Sequence, residues 1–205
     1  MKTTKGPQRT PRLRSAFRIV LEVYEVLPDG SLRLSRRLPT NSWVKQWIQI
    51  LLCRFQNANL TGVLDTGNAS RTLTAVSSVM VRADAGSGVA THGILVGTSA
   101  TAPTRDDFNL NAQVQNGNGA GQLSHAASVA RAPVTITGGY RLTLDRQFAN
   151  NSGGSITVQE IALVVRHTTS AGDQSFLMLH DLVNPAEAIP DGGARVFKYN
   201  LDFLV

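Results

Sequence analysis

"RQFANNSGGSITVQEIALVV", residues 146–165, decides how the rest of the chain is read. Two strand-like runs flank a polar, glycine-rich stretch, the composition of a turn between β-strands. Side chains on a strand alternate between two faces. Upstream, Tyr140, Leu142, Leu144, Arg146 and Phe148 share one face, and Arg141, Thr143, Asp145 and Gln147 the other. Downstream, Ile156, Val158, Glu160, Ala162 and Val164 share a face. The alternation therefore sets an arginine and a glutamate among apolar neighbours. A hairpin centred on Gly153 puts residue 148 opposite 158 and 146 opposite 160. Either charge buried alone would be prohibitively costly. The expectation is a buried cross-strand Arg146–Glu160 pair that fixes strand register. The chemical alternative makes Glu160 a catalytic acid of the glycosidase kind, which needs a second carboxylate across a cleft. Asp145 falls on the opposite face, and no spacing brings in Asp181 or Asp202, so the structural pair is favoured.

Other strands lie on both sides of this stretch. "FRIVLEVYEVLPDGSLRLSRRL" (17–38) reads as a hairpin with Ile19, Leu21 and Val23 on one face and Asp29-Gly30 in its turn. "HGILVGTS" (92–99) is a strand leading into "TAPTRDDFNL", where Thr104 and Asp107 have capping-box spacing for one helical turn. A strand is expected near 75–82, with the rest of 58–91 small, polar and turn-rich. "SFLMLHDLV" (175–183) is a strand, "NPAEAIPDGGA" (184–194) a loop, and "RVFKYNLDFLV" (195–205) a closing strand. On that last strand Phe197, Tyr199, Leu201, Phe203 and Val205 share a face. Short strands at close spacing predict a mainly β fold, an antiparallel β-sandwich or jelly roll.

One segment carries helical periodicity. In "TNSWVKQWIQILLCRFQN" (40–57), Trp43, Val44, Trp47, Ile48, Leu51, Leu52 and Phe55 follow i, i+3, i+4, i+7 spacing. Thr40, Asn41 or Ser42 can cap its start. An amphipathic helix over about 41–57 is predicted, covering one face of the β core. The sharper alternative makes it a docking helix between subunits through Trp43, Trp47, Leu51 and Phe55.

Charge is unevenly placed. The net charge is +6, and Lys2, Lys5, Arg9, Arg12, Arg14 and Arg18 lie in the first 20 residues with no acid. The remaining body is formally neutral. Pro7 and Pro11 block regular helix there, so 1–18 is expected to be an extended basic arm that orders against a partner, and 19–205 a single domain. A short basic tail supports nucleic acid less than a basic folded face would.

Motifs that would announce catalysis or ligand binding are missing. The sequence has no G-x-x-x-x-G-K-[ST] and no G-x-S-x-G, and "GNGAG" (117–121) lacks a strand-to-helix context. His92, His125, His167 and His180 lack metal-ligand spacing, and Cys53 is the only cysteine, so no metal site, cofactor or intrachain disulfide is expected. No run approaches the roughly 20 apolar residues of a membrane span, and no secretory signal pattern is present.

Residues 92–205 carry a further pattern. "GILVGTSATAPTRDDFNL", "RQFANNSG" leading into "ITVQEIAL", and "GGARVFKYNLDF" together resemble bacteriophage virion proteins. The likeness is to tail-collar and fibre-attachment domains and to small β-sandwich head or tail accessory proteins. It rests on Gly97, Pro103, Arg146, Asn150, Gly153, Glu160 and Ile161, and Ala162 stands where a glycine is usual. The resemblance implies a non-enzymatic, multimeric structural subunit of the virion, serving in capsid decoration, in the neck or connector, or on the tail. Its partners would be copies of itself and other virion proteins. The alternatives are a coat protein whose basic arm faces nucleic acid, and a carbohydrate- or receptor-binding module of a tail tip. The last needs exposed aromatics, and Trp43 and Trp47 are committed to the helix stripe.

Overall fold

A computed structural model describes residues 17–40, 43–75 and 81–204, without the side chains of Phe17, Arg54 and Phe55. The fold is an antiparallel β-sandwich. The first sheet runs β2 (Leu32–Thr40), β1 (Phe17–Val26), β12 (Ala194–Leu204), β9 (Gly139–Ala149). Three short strands, β6 (Ser124–His125), β7 (Val129–Ala130) and β8 (Val134–Ile136), line up along the free edge of β9. The second sheet pairs β11 (Gly172–Ile189) with β10 (Ile156–Thr169). On the other side of β10 lie β5 (Gly93–Gly97) and the hairpin of β3 (Leu60–Leu64) with β4 (Ser70–Leu73). One helix, α1 (Lys45–Gln56), is present among the described residues.

The stretch 146–165 is not a hairpin. β9 pairs with β12 in the first sheet, and β10 pairs with β11 in the second, so the turn between them crosses the sandwich. Asn150 makes the crossing. It is buried, and its side-chain amide donates to the Gly154 and Ile189 carbonyls at 2.7 Å each. Its Oδ1 accepts from the Ser152 N–H and hydroxyl. The Ile189 carbonyl belongs to the return crossing from β11 to β12, so one side chain ties both arches together. Gly153 takes φ +82° in the outgoing arch and donates its N–H to Asp191 in the returning one at 2.9 Å.

A bulge then resets the facing of β10. Its register against β11 shifts between Val158 and Glu160. Ile156, Val158, Ile161, Leu163 and Val165 consequently join the core between the sheets. Glu160, Ala162 and Val164 turn to the far side of the second sheet, where Ala162 and Val164 pack with Val44, Leu95, Leu110 and Leu177. Arg146 stays on the inner face of the first sheet. The expected Arg146–Glu160 pair does not form, because the two side chains stand on opposite sides of the second sheet.

Closing strand β12 is as expected: Phe197, Tyr199 and Leu201 are buried against Ile19, Leu21 and Val23 of β1. Outward side chains of this sheet form ion pairs, among them Arg141–Asp202 at 2.6 Å and Arg37–Glu22 at 2.6 Å. That is how an antiparallel sheet presents one face to water. Residues 184–189, expected as loop, instead prolong β11 as far as Ile189. The hairpin β3–β4 was not foreseen in a stretch read as turns. The strand expected near 75–82 falls largely on 76–80, outside the described residues, and Arg82 makes only an isolated bridge to Arg166.

Candidate functional site

Arg146 gathers backbone carbonyls. It is completely buried, and Nε donates to the Ala126 carbonyl at 2.8 Å. Nη1 donates to Ile94 O at 3.0 Å and Nη2 to Val89 O at 2.5 Å. Its Cζ lies 5.6 Å from the centroid of the Phe148 ring. Burial draws the guanidinium pKa down to about 10, which leaves it charged at neutral pH. The planar fork reaches several acceptors at once, which an ammonium could not do. The start of β5 with the loop before it, and the turn after β6, are thereby fastened to the middle of β9. His125, at the end of β6, lies edge-on to Phe148 at 4.9 Å. Burial and the Arg146 charge lower its pKa to about 4.

Glu160 does the converse and gathers N–H groups. Its carboxylate accepts from the backbone of Asn111 at 3.0 Å and Ala112 at 2.6 Å. His180 Nε2 lies 3.0 Å from the same carboxylate, and His180 Nδ1 lies 2.7 Å from Asp107 Oδ2. Asp107 in turn accepts from the Thr104 N–H at 2.9 Å and hydroxyl at 2.6 Å. The capping-box spacing of Thr104 and Asp107 is thus realised in a turn rather than a helix. Burial alone would raise the Glu160 pKa, but the bonds from His180, Ala112 and Asn111 hold it below its ordinary value. Burial alone would lower that of His180, and the two carboxylates lift it instead. Such a carboxylate–imidazole–carboxylate chain has the parts of acid–base chemistry. Here Glu160 and His180 are wholly enclosed, and the chain serves to hold the loop 98–113 on the second sheet.

His180 and Asp107 were not singled out in the sequence as partners of Glu160. The available signal was three ionisable residues set in apolar or turn contexts, one in each of three separate segments. Gly97 was part of the pattern, and its role is steric. It lies opposite Glu160 in the β5–β10 pairing, and a Cβ there would come within 2.3 Å of Glu160 Oε1.

An apolar groove of about 790 Å³ opens between the sheets. Leu144, Leu201 and Phe203 form one wall, Leu163 and Met178 the other, and Trp43 and Trp47 the end. The two indoles stack with centroids 5.4 Å apart. At the rim Arg82 pairs with Asp84. Phe203 is 46% exposed and Tyr140, its cross-strand neighbour, 56%. A contiguous apolar surface of this kind marks a contact or binding site.

The helix sits differently from its predicted stripe. Gln46, Ile50 and Cys53 form the buried face, Trp47 and Leu51 are half-buried, and Ile48 and Leu52 are exposed. The cause lies just before the helix. Val44 N–H donates to Met178 O, Lys45 N–H donates to Arg105 O, and Trp43 bridges Leu179, so the edge of β11 sets the rotation of α1. Trp43 and Trp47 therefore line the groove, while the Phe55 side chain lies outside the described residues.

Of the six expected arm residues, Lys2, Lys5, Arg9, Arg12 and Arg14 lie outside the described residues. Arg18 belongs to β1, where it reaches Asp202 at 2.7 Å. The strand thus takes in the last two residues of the expected arm, 17 and 18. No group of His, Cys, Asp and Glu among the described residues could hold a metal ion, and no described helix is long and apolar enough to cross a membrane. Compared with known protein families, curated proteins and solved structures, the chain matches none of them.

Proposed function

We propose that this chain is a non-enzymatic structural subunit of a bacteriophage virion, a multimeric head- or tail-associated β-sandwich that docks on neighbours. The observation that carries this reading is the apolar groove lined by Leu144, Leu163, Met178 and Leu201 among the described residues. Subunits that assemble keep such surfaces for contact. The motif-bearing charges point the same way. Arg146 and Glu160 are both spent on fastening loops, and a rigid scaffold with pinned loops suits a part that must present one fixed surface. Most acids of the folded body already face an arginine, as in the pairs at Glu22, Asp65, Asp145 and Asp173. The arm's cations accordingly seek their counter-charge on another virion protein rather than on the body of a second copy.

Light scattering on the full chain and on a version lacking residues 1–16 tests this. A defined multimer, or a particle-bound state that the truncated chain fails to reach, is the expected result. A chain that stays monomeric at every concentration and ignores virion proteins would overturn it. The competing reading, a coat protein with its arm on nucleic acid, predicts binding that falls steeply with added salt. Assembly that salt leaves unchanged favours protein contacts.

A further inference from the structure

We infer that a polar cleft on the outer face of the second sheet binds an acidic saccharide, a sugar unit that carries a carboxylate. At about 640 Å³ the cleft has the size of a small-molecule site. It lies on the opposite face of the second sheet from the apolar groove, which stays open to a neighbouring subunit. Its floor is Leu95 and Leu110 of the outer apolar cluster, with Arg166 next along the outward face of β10 after Val164. One wall is the turn between β3 and β4, held against β11 by the Thr66 N–H donating to Ser175 O at 2.9 Å. The other is the 109–115 segment, which Gln113 Nε2 ties to Ala90 O at 2.7 Å. Two half-buried arginines line the cleft, and most of their donors are unused. Asp65 accepts from the Gly67 and Ala69 N–H groups at 2.9 Å each, and from Arg71 Nε at 2.5 Å. Asp173 accepts from the Thr168 hydroxyl at 2.7 Å and from Arg166 Nη2 at 2.9 Å. Both carboxylates are therefore well occupied, whereas each arginine commits a single nitrogen to hydrogen bonds among the described residues. The remaining guanidinium N–H groups suit a second carboxylate, which a planar fork binds with two bonds. Asn109, Gln115 and Gln174 add side-chain amides at the cleft, each with donors and an acceptor for sugar hydroxyls. The two leucines can meet the C–H face of a ring. No aromatic side chain lines the cleft among the described residues, so recognition falls to charge, and a neutral sugar lacks the stacking surface it would need. This site goes beyond the assembly reading and does not depend on it.

Ligand-observed NMR titration of the full chain tests this, with oligosaccharides of galacturonate, glucuronate and mannuronate and their neutral hexose counterparts as probes. At least one acidic oligomer is expected to bind, and its neutral counterpart roughly tenfold more weakly or less. Arg166→Gln and Arg71→Gln should each weaken binding roughly tenfold or more, as the loss of charge-assisted bonds does. Arg131→Gln, whose arginine pairs with Asp145 on the first sheet, should leave it unchanged. Arg71 also supports Asp65, so Asn109→Ala, at an exposed loop position, serves as the variant that leaves the fold alone, and it too should weaken binding. Far-UV circular dichroism confirms that each variant keeps its β content. Failure of every acidic oligomer to bind would overturn the inference, as would equal binding of the neutral ones. Inorganic phosphate or a glutamate-rich peptide that binds more tightly than the sugars would make the cleft a general anion site or a protein contact, and would overturn it too. Multimer formation is read separately by light scattering, so the failure of either reading leaves the other to stand on its own result.

Discussion

Arg146 shows how a buried charge can be held without a counter-charge. Its donors face backbone carbonyls of the 89–94 segment and of Ala126, and buried carbonyls of that kind need a donor. Arg146→Leu keeps much of the bulk and leaves the carbonyls of Val89, Ile94 and Ala126 unsatisfied. A loss of roughly 3 kcal/mol or more in urea unfolding is expected, with Arg146→Lys recovering only part of it. A loss below about 1 kcal/mol would mean that water replaces the guanidinium freely. The Glu160–His180–Asp107 chain makes a prediction in pH. His180 is raised, so its contribution is complete below its unfolded value and is lost as pH climbs through the folded one. Glu160 and Asp107 are lowered, so theirs is present above the unfolded carboxylate range and is lost as pH falls through the folded values. The loop should be tightest between about pH 4.5 and 6.5. Hydrogen exchange at the Asn111 and Ala112 amides, corrected for intrinsic rate, should be slowest there, and His180→Gln should erase the alkaline limb. That Arg146 and Glu160 were unusual could be read from alternation alone. Their backbone partners could not, because carbonyls and amides of the main chain leave no mark on residue type, and His180 showed only as an ionisable residue in an apolar strand.

At the scale of elements, strands whose facing is fixed by unbroken alternation were readable, and those reset by a neighbour were not. β1 and β12 kept their inward faces because no bulge interrupts their mutual register. β10 changed face at its bulge, which depends on pairing with β11 and is invisible in its own sequence. The helix repeats the lesson. Its apolar residues extend beyond one face, and the bonds from Val44 and Lys45 to β11 and the 104–107 turn decide which of them go inward. Ile50 is fully buried and Ile48 is 60% exposed, although both belong to an apolar run. Ile50→Ala is therefore expected to cost about 2–5 kcal/mol, as large-to-small core changes do. Ile48→Gln should stay within about 0.5 kcal/mol in the isolated chain. Equilibrium unfolding of the two variants checks the rotation, and the reverse order of effects would restore the face containing Ile48. If Ile48 instead matters only when the protein assembles, its substitution should disturb multimer formation while leaving monomer stability intact.

For the whole molecule, the sandwich class followed from many short strands and abundant turn residues, but the assignment of strands to sheets did not. A polar, glycine-rich turn serves equally well in a hairpin and in an arch that crosses between sheets. Asn150 decides between them, since its amide is bonded at once to the arch it belongs to and to Ile189 on the returning one. Both crossings lie side by side, so β9 meets β12 and β10 meets β11, and each sheet receives one strand from each crossing. This arrangement makes the two arches a single unit energetically. Asn150→Ala should lower stability by about 2 kcal/mol, because the buried Ile189 carbonyl and the Gly154 carbonyl both lose their donor. Asp191→Ala removes the acceptor of the Gly153 N–H at the exposed end of the same unit. If the arches act together, the double variant should depart from the sum of the single ones by roughly 0.5–3 kcal/mol, the range seen for residues sharing a network. Strict additivity in a double-mutant cycle would instead mean that each crossing is held by its own strands, with Asn150 serving only the turn in which it lies.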